Sequence, residues 1–368
     1  MEFDIHSLFI YLGALSVSIL LCYLYQAKKP KNSFIRYLEL IIIALPLSLV
    51  AGFRGDVVGT DYHDYIEVYN WVTDAEWNTL PVIATSQEIG CKVLYKLVGL
   101  LTNCDPFAFG FTFEFLTLLI ALIGFDKFRD KINLPYVFLL YYLVFFHPSL
   151  NIMRMMLAVS IVVFSLHYLI NSHYLKYIIT IVVASLFHSS AAFLSLFVFA
   201  PYFAGRFKNG KKITRSGKTS LFIFIITVFT LSINIIIHPL LSLLNYREGY
   251  LELSSSFGPG AFFYFVVSIV PILIFSQLEI KNDRTLAILQ IFCIAYLPLR
   301  ILSYWALWAG RMTFYTQIAW ILLVALLAYK NPKQQLVKYY LLGVFIIDYI
   351  YTYLYMNFHE TFPYISIS

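Results

Sequence analysis

The chain alternates long apolar runs with short polar breaks. Ten runs stand out: Ser7–Gln26, Tyr37–Phe53, Pro106–Phe125, Leu134–Phe146, Met155–Ile170, Ser220–Ile237, Ala261–Phe275, Leu286–Tyr304, Met312–Tyr329 and Tyr339–Met356. Most come close to the roughly 20 residues that carry a helix across a bilayer. The pattern therefore predicts an all-α polytopic membrane protein with about ten full transmembrane helices. Ile89–Leu101 is shorter and reads as a partial or interfacial helix. No internal repeat or low-complexity tract is evident, so residues 1–368 read as a single integral membrane domain.

The polar breaks differ in charge, and that orients the chain. Lys28, Lys29, Lys31 and Arg36 form one basic break, and Lys127, Arg129 and Lys131 another. The basic loop 205–219 is the strongest; Lys281 with Arg284, and Lys330, Lys333 and Lys338, complete the set. Basic loops stay in the cytoplasm, which places both termini outside. Met1–His6 carries Glu2 and Asp4 and no Lys or Arg, so it does not read as a cleavable signal peptide. Segment 177–203 lies between Lys176 and the basic loop. Both flanks are then cytoplasmic, yet the segment is short for two full crossings. It reads as two short helices or a re-entrant hairpin turning at Phe187–Ala191. Irregular backbone at that depth must line protein or a wet cavity.

Residues 54–88 are too polar to span. They hold Asp56, Asp61, Asp64, Glu67, Asp74, Glu76 and Glu88, and Arg54 as their only Lys or Arg. This is a long non-cytoplasmic loop, and long loops tend to be functional.

Composition agrees: charged residues are 12% and mean hydropathy is +0.77, against about 25% charged in soluble domains. The net charge of +6 arises in membrane-flanking loops and argues for no nucleic-acid partner. Cys22, Cys91, Cys104 and Cys293 have no metal-like spacing. Cys91 and Cys104 share the outer side, so a disulfide stands beside the plainer expectation of two inert thiols.

Seven basic residues fall outside the cytoplasmic breaks: Arg54, Lys92, Lys96, Arg154, Arg247, Arg300 and Arg311. Five of them are arginine, whereas lysine dominates the cytoplasmic set. Arginine suits bidentate binding of phosphate or carboxylate. Arg54 stands beside Gly55 and Asp56, before Gly59-Thr60-Asp61-Tyr62. Thr60 or Asp61 is placed to cap a helix whose Tyr62, Ile66 and Tyr69 share a face, and an aromatic belt alone would explain those tyrosines. Glu88-Ile89-Gly90 precedes a helix, whose dipole favours a carboxylate there; proton transfer or sugar binding is the functional alternative. Arg154 at the outer end of its helix reads alone as a snorkelling interfacial arginine. His188 at a membrane-hairpin turn is more often functional than packed, and a pKa near neutrality suits a general base. Arg300 inside an apolar run is costly unless paired or facing a cavity. No phosphate-binding glycine loop, zinc signature or nucleophile elbow occurs, and no metal or cofactor is expected.

Phe53-Arg54, Val58-Gly59-Thr60-Asp61-Tyr62 with Tyr65 and Tyr69, Glu88-Ile89-Gly90, Arg154, Phe187-His188-Ser189-Ser190-Ala191, and Arg311 before Phe314-Tyr315 occur in that order. The ordered set, over most of the chain, resembles EpsG-like proteins, polysaccharide polymerases of the Wzy type. One departure is visible: the family usually follows the arginine at 154 with glutamine, and Met155 stands here.

The resemblance implies a multi-pass protein of the bacterial cytoplasmic (inner) membrane. It implies joining of polyprenyl-diphosphate-linked oligosaccharide donor and acceptor units at the outer face, without nucleotide sugars, toward a glycan such as the O-antigen of lipopolysaccharide or an exopolysaccharide. Membrane lipid and a chain-length regulator protein are the expected partners. Arg54, Arg154, Arg311 and, in support, Arg300 are expected to bind the diphosphate, which on undecaprenyl carriers is the leaving group. Tyr62, Tyr65 and Tyr69, with Trp71, Trp77, Trp305 and Trp308, would meet sugars. His188, then Asp61, and Glu88 are candidate bases. A lipid-linked oligosaccharide flippase, an O-antigen ligase-like transferase and a sugar acyltransferase are the competing readings.

Overall fold

In the computed structural model, residues 4–204, 207–208, 211–212, 283–303, 307–330 and 335–367 are described. The expected spans 220–237 and 261–275, Arg247, Trp305, the Trp308 side chain and most of loop 205–219 lie outside these residues.

The chain is helical and divides into two compact units. The first comprises Met1–His167, Ile178–Ala192 and Tyr339–Ser368. It holds α1 (Ile5–Lys28), α2 (Ser33–Phe53), α3 (Tyr62–Asp74), α4 (Ile89–Thr102), α5 (Pro106–Asp126), α6 (Leu134–Tyr141), α7 (His147–Asn151) and most of α8 (Met153–Ile170). A π-turn over Tyr142–Phe146 makes α6 and α7 one continuous rod. Local chemistry sets the starts: Asp4, Asn32, Asp105 and Asn133 each accept backbone N–H groups at a helix N-terminus. Left-handed Lys29 and Asn103 end α1 and α4.

Five described helices are long and apolar enough to cross a membrane: Ile5–Lys28, Ser33–Phe53, Pro106–Asp126, Met153–Ile170 and Ala309–Tyr329. This is a multi-pass membrane architecture. Residues 147–154, between the apolar runs Leu134–Phe146 and Met155–Ile170, are mostly helix. α7 continues to Asn151, and one non-helical residue, Ile152 (φ −93°, ψ 53°), separates it from α8. Ile152 N–H still reaches Pro148 O at 2.8 Å, so the chain turns without losing that bond.

Two ends of the first unit are defined by polar contacts. At one, Tyr25 pairs with Asp126, Arg36 lies 3.4 Å from Asp126, and Arg129 donates to Pro30 O at 3.2 Å. The two basic breaks of the first half thus share an end. At the other, Gly55 N–H donates to Ile365 O at 2.6 Å and Ile367 N–H to Phe53 O at 2.9 Å. Tyr364 N–H donates to Ser7 Oγ at 2.5 Å and Tyr11 OH to Thr361 O at 2.8 Å. Residues 359–367 therefore strap the start of α1 to the Arg54 turn.

Loop 54–88 is folded rather than extended. α3 and α4 pack together, with Gly99 so close to Thr73 that any Cβ would clash with its side chain. Buried Lys96 donates to Thr73 O at 2.8 Å and also to Ala75 O, while Lys92 donates to Ile83 O at 3.0 Å. These two lysines bolt the loop to α4, which accounts for two of the seven basic residues the topology left over.

α9 (Tyr174–Ser185) ends just before His188, and a 3₁₀ run follows over Ser189–Phe199. The break falls where the hairpin turn was expected. The second unit comprises Tyr168–Tyr177 and Phe193–Lys338. It includes α10 (Ala200–Ala204), a two-residue ladder pairing Phe207–Lys208 with Lys211–Lys212, α11 (Arg284–Leu302) and α12 (Leu307–Lys330). α13 (Gln335–Tyr349) leads into a π-turn, Ile350–Tyr355, and the strap.

Candidate active site

Three segments distant in sequence meet in the first unit. Glu88 stands at the N-terminus of α4, Arg154 in the first turn of α8, and Ser189 just past the end of α9. Arg154 Nη1 pairs with Glu88 Oε2 and donates to Ser86 O at 3.1 Å. Ser189 N–H donates to Glu88 Oε1 at 2.9 Å. One carboxylate is thus held by a guanidinium and a backbone amide. Arg154 also lies over the Tyr65 ring, 5.7 Å from its centroid.

Backbone contacts hold this arrangement. Gly90 N–H donates to Leu186 O at 2.8 Å, and Cys91 Sγ to Phe187 O at 3.2 Å. His188 Nδ1 lies 2.6 Å from Ser190 Oγ. Burial raises the proton affinity of Glu88, but Arg154, the Ser189 N–H and His188 outweigh it and hold the carboxyl below its ordinary value. Burial likewise raises the Tyr65 hydroxyl against the opposing pull of Arg154. The seat is therefore electropositive: it stabilises an anion, and Glu88 supplies one.

A second polar cluster lies beside it. Arg54 is 1% exposed. Its Nη1 donates to Leu150 O at 2.6 Å, its Nη2 to Met153 Sδ at 3.3 Å, and its guanidinium lies 3.7 Å from the Tyr62 ring centroid. Asn151 Oδ1 accepts from Thr60 Oγ1 at 2.8 Å and from Asp61 N–H at 2.7 Å, while its Nδ2 meets His359 Nδ1 at 3.0 Å. Asp61 stands at the start of α3 but makes no capping side-chain bond there; Asn151 takes its amide instead, which corrects the expected cap. Gly59, at φ +101°, lies close under Leu150 O, and its N–H donates to Glu360 O at 3.0 Å.

The structure brings Arg154, Glu88, His188 and Tyr65 together. Tyr62 and Tyr69 are 0% exposed: Tyr69 stacks on Phe109 at 4.5 Å and Tyr62 donates to Pro106 O at 3.1 Å. Their shared face is core, so neither offers a ring to a sugar. Trp71 and Trp77 are exposed. Arg300 and Arg311 belong to the second unit. Met155 is buried in α8. All four cysteines are free. Among the described residues no cluster suited to a metal occurs.

Asn151 and Glu114 were missed by the sequence reading. Glu114 is a charged group in an apolar run, the same signal that drew attention to Arg300; Asn151 stands in the break between two runs. Glu114 of α5 is 2% exposed, stands near Ser149 and Arg54, and its Oε1 has no hydrogen-bond partner.

The chain is helical and multi-pass, and in its first unit a polar loop and the break after α9 meet at an arginine–carboxylate pair. The sequence model of the EpsG family matches residues 37–366, and the chain belongs to that family. Membership points to a membrane polysaccharide polymerase acting on lipid-linked oligosaccharides. No curated protein and no solved structure matches the chain.

Proposed function

We propose that this protein is a polymerase of the glycosyltransferase type. It joins polyprenyl-diphosphate-linked oligosaccharide repeat units at the outer face of the bacterial cytoplasmic membrane, and a chain-length regulator acts with it. The observation that carries this reading is the Arg154–Glu88–Ser189 cluster. A carboxylate held by a guanidinium and an amide occupies the geometry that a phosphate oxygen would use.

The donor diphosphate displaces Glu88 from Arg154. The acceptor hydroxyl attacks the anomeric carbon, and the bond from that carbon to the phosphate oxygen breaks. The electron pair leaves with the lipid diphosphate, whose growing charge Arg154 stabilises; Arg300 and Arg311 are assigned to the same group. The hydroxyl proton passes to His188. With Nδ1–H donated to the Ser190 hydroxyl, Nε2 carries the lone pair that accepts it. Glu88, once displaced, loses the guanidinium that depressed its proton affinity and becomes a second acceptor; Asp61 is the third candidate. Tyr65 orients the guanidinium beneath its ring.

Polymerisation by the purified protein with its lipid-linked unit tests this. Arg154→Ala is expected to slow chain growth about 100-fold or more, as loss of a charge-stabilising donor does. Near wild-type growth in both Arg154→Ala and Arg311→Ala would refute the diphosphate role. For His188→Gln, single-turnover rates across pH decide, since an unchanged rate removes it as the base. In a deletion strain, loss of long glycans with single units retained is expected. Loss of all surface glycan would point to a flippase or ligase.

A further inference from the structure

We propose that Arg54 and Asn151 are positioning residues that fix the break between α7 and α8, and thereby aim Arg154 at the anion seat. Arg54 is then no diphosphate ligand. The catalytic consequence rests on the function proposed above; the structural part does not.

Arg154 is the second residue of α8. Its direction is set by where α8 starts, and Ile152 alone separates α8 from α7. Arg54 holds both sides of that residue: Leu150 O before it and Met153 Sδ after it. Asn151, inside the break, is held by Thr60, the Asp61 amide and His359. The two anchors belong to the same short turn, residues 54–61, which the strap pins through Gly55 and Gly59.

The environment of Arg54 suits a brace and not a ligand. Its guanidinium is covered by the Tyr62 ring on one face, and the residue is 1% exposed. A buried cation is costly unless neighbouring groups satisfy it. Here Leu150 O, Met153 Sδ and the Tyr62 ring surround it, while its Nε has no hydrogen-bond partner. A diphosphate would have to strip these contacts away. Arg154, by contrast, is paired with a carboxylate and is less deeply buried.

Two measurements test this on the full chain in lipid nanodiscs. The first needs no substrate. The Arg154→Cys thiol is alkylated by maleimide, and the rate at that position is read by peptide mass spectrometry. Adding Arg54→Ala or Asn151→Ala is expected to raise the rate about tenfold or more as the break loosens. Arg54→Lys falls between, because an ammonium cannot bridge both partners. Thermal unfolding confirms that each variant is folded. If Arg54→Ala does not fold, Arg54→Lys and Asn151→Ala carry the test. Unchanged rates in folded variants overturn the brace.

The second measurement is a double-mutant cycle on chain growth. If Arg54 acts through Arg154, adding Arg54→Ala to Arg154→Ala costs nothing further. Multiplying losses would make Arg54 a ligand in its own right. If Arg154→Ala alone has no effect, the proposed function fails, while the thiol rates still judge the brace.

Discussion

His359 meets the Asn151 amide at 3.0 Å and is 6% exposed. Burial lowers its pKa from 6.5 to about 4. Between these values the unfolded chain binds a proton that the folded protein refuses, so stability falls as pH drops through that window. From pH 7.5 to 5 the loss is about 2 kcal/mol. Thermal unfolding of the purified protein should show this slope, and His359→Gln should flatten it by that amount. An equal slope in both would clear His359. Glu88 has the same sign but a more acidic window, because its depression starts from a carboxylate value. Its depressed carboxyl contributes stability above its unfolded value, and that is lost only as pH falls through the lower folded one. The acid sensitivity between about pH 5 and 6.5 is therefore not its doing. Arg154, Glu88 and His188 were legible in the sequence because charge at a membrane boundary is expensive and must have a reason. His359 was not, because a lone histidine in a polar tail carries no such cost until folding buries it.

The contact between the start of α4 and the end of α9 is closest at one glycine. Gly90 N–H donates to Leu186 O, and a Cβ on Gly90 would lie 2.6 Å from that oxygen. Carbonyl oxygen and peptide cannot both yield, so Gly90→Ala should push the two elements apart and pull Ser189 from Glu88. The expected cost is about 1–3 kcal/mol, typical of overpacking. A lower Tm of the purified protein and a loss of chain growth would show it; an unchanged Tm with full activity would refute it. The sequence contained both halves of this contact. Glu88-Ile89-Gly90 announced a helix start, and Phe187-His188-Ser189 a break between apolar segments. Their meeting lay beyond it, because no local pattern encodes contacts between residues this distant along the chain. The tyrosines of α3 show a related limit. Helical spacing placed Tyr62 and Tyr69 on one face, but the same stripe serves a core or a sugar platform. Phe109 and Phe113, from α5, decided for the core.

For the whole molecule, the alternation of apolar runs and basic breaks predicted the membrane class, and in the first unit two of the basic breaks meet at one end. Gln26 to Arg36 meets Asp126 to Ile132 at one end. Ser7, Arg54 to Gly59, Asn151 and residues 359–367 meet at the other. A helix such as α1, with its 24 residues, separates these ends by about 36 Å at 1.5 Å per residue, enough to cross a bilayer. Helix length sets the two ends apart, and the preference of arginine and lysine for the inner side of a membrane proposes which end faces the cytoplasm. The anion seat, between Glu88, Arg154 and Ser189, belongs to the unit's polar loop, so an outer-face reaction requires that loop to be outside. Glu67 and Lys28 test this directly, because their side chains are 70% and 65% exposed. In intact cells, a membrane-impermeant maleimide should label Glu67→Cys and spare Lys28→Cys; permeabilisation should then expose the latter. The reverse pattern would turn the molecule over. Arg154 would then face a compartment where basic loops no longer explain the lysines, and polymerisation at the outer face would have no site.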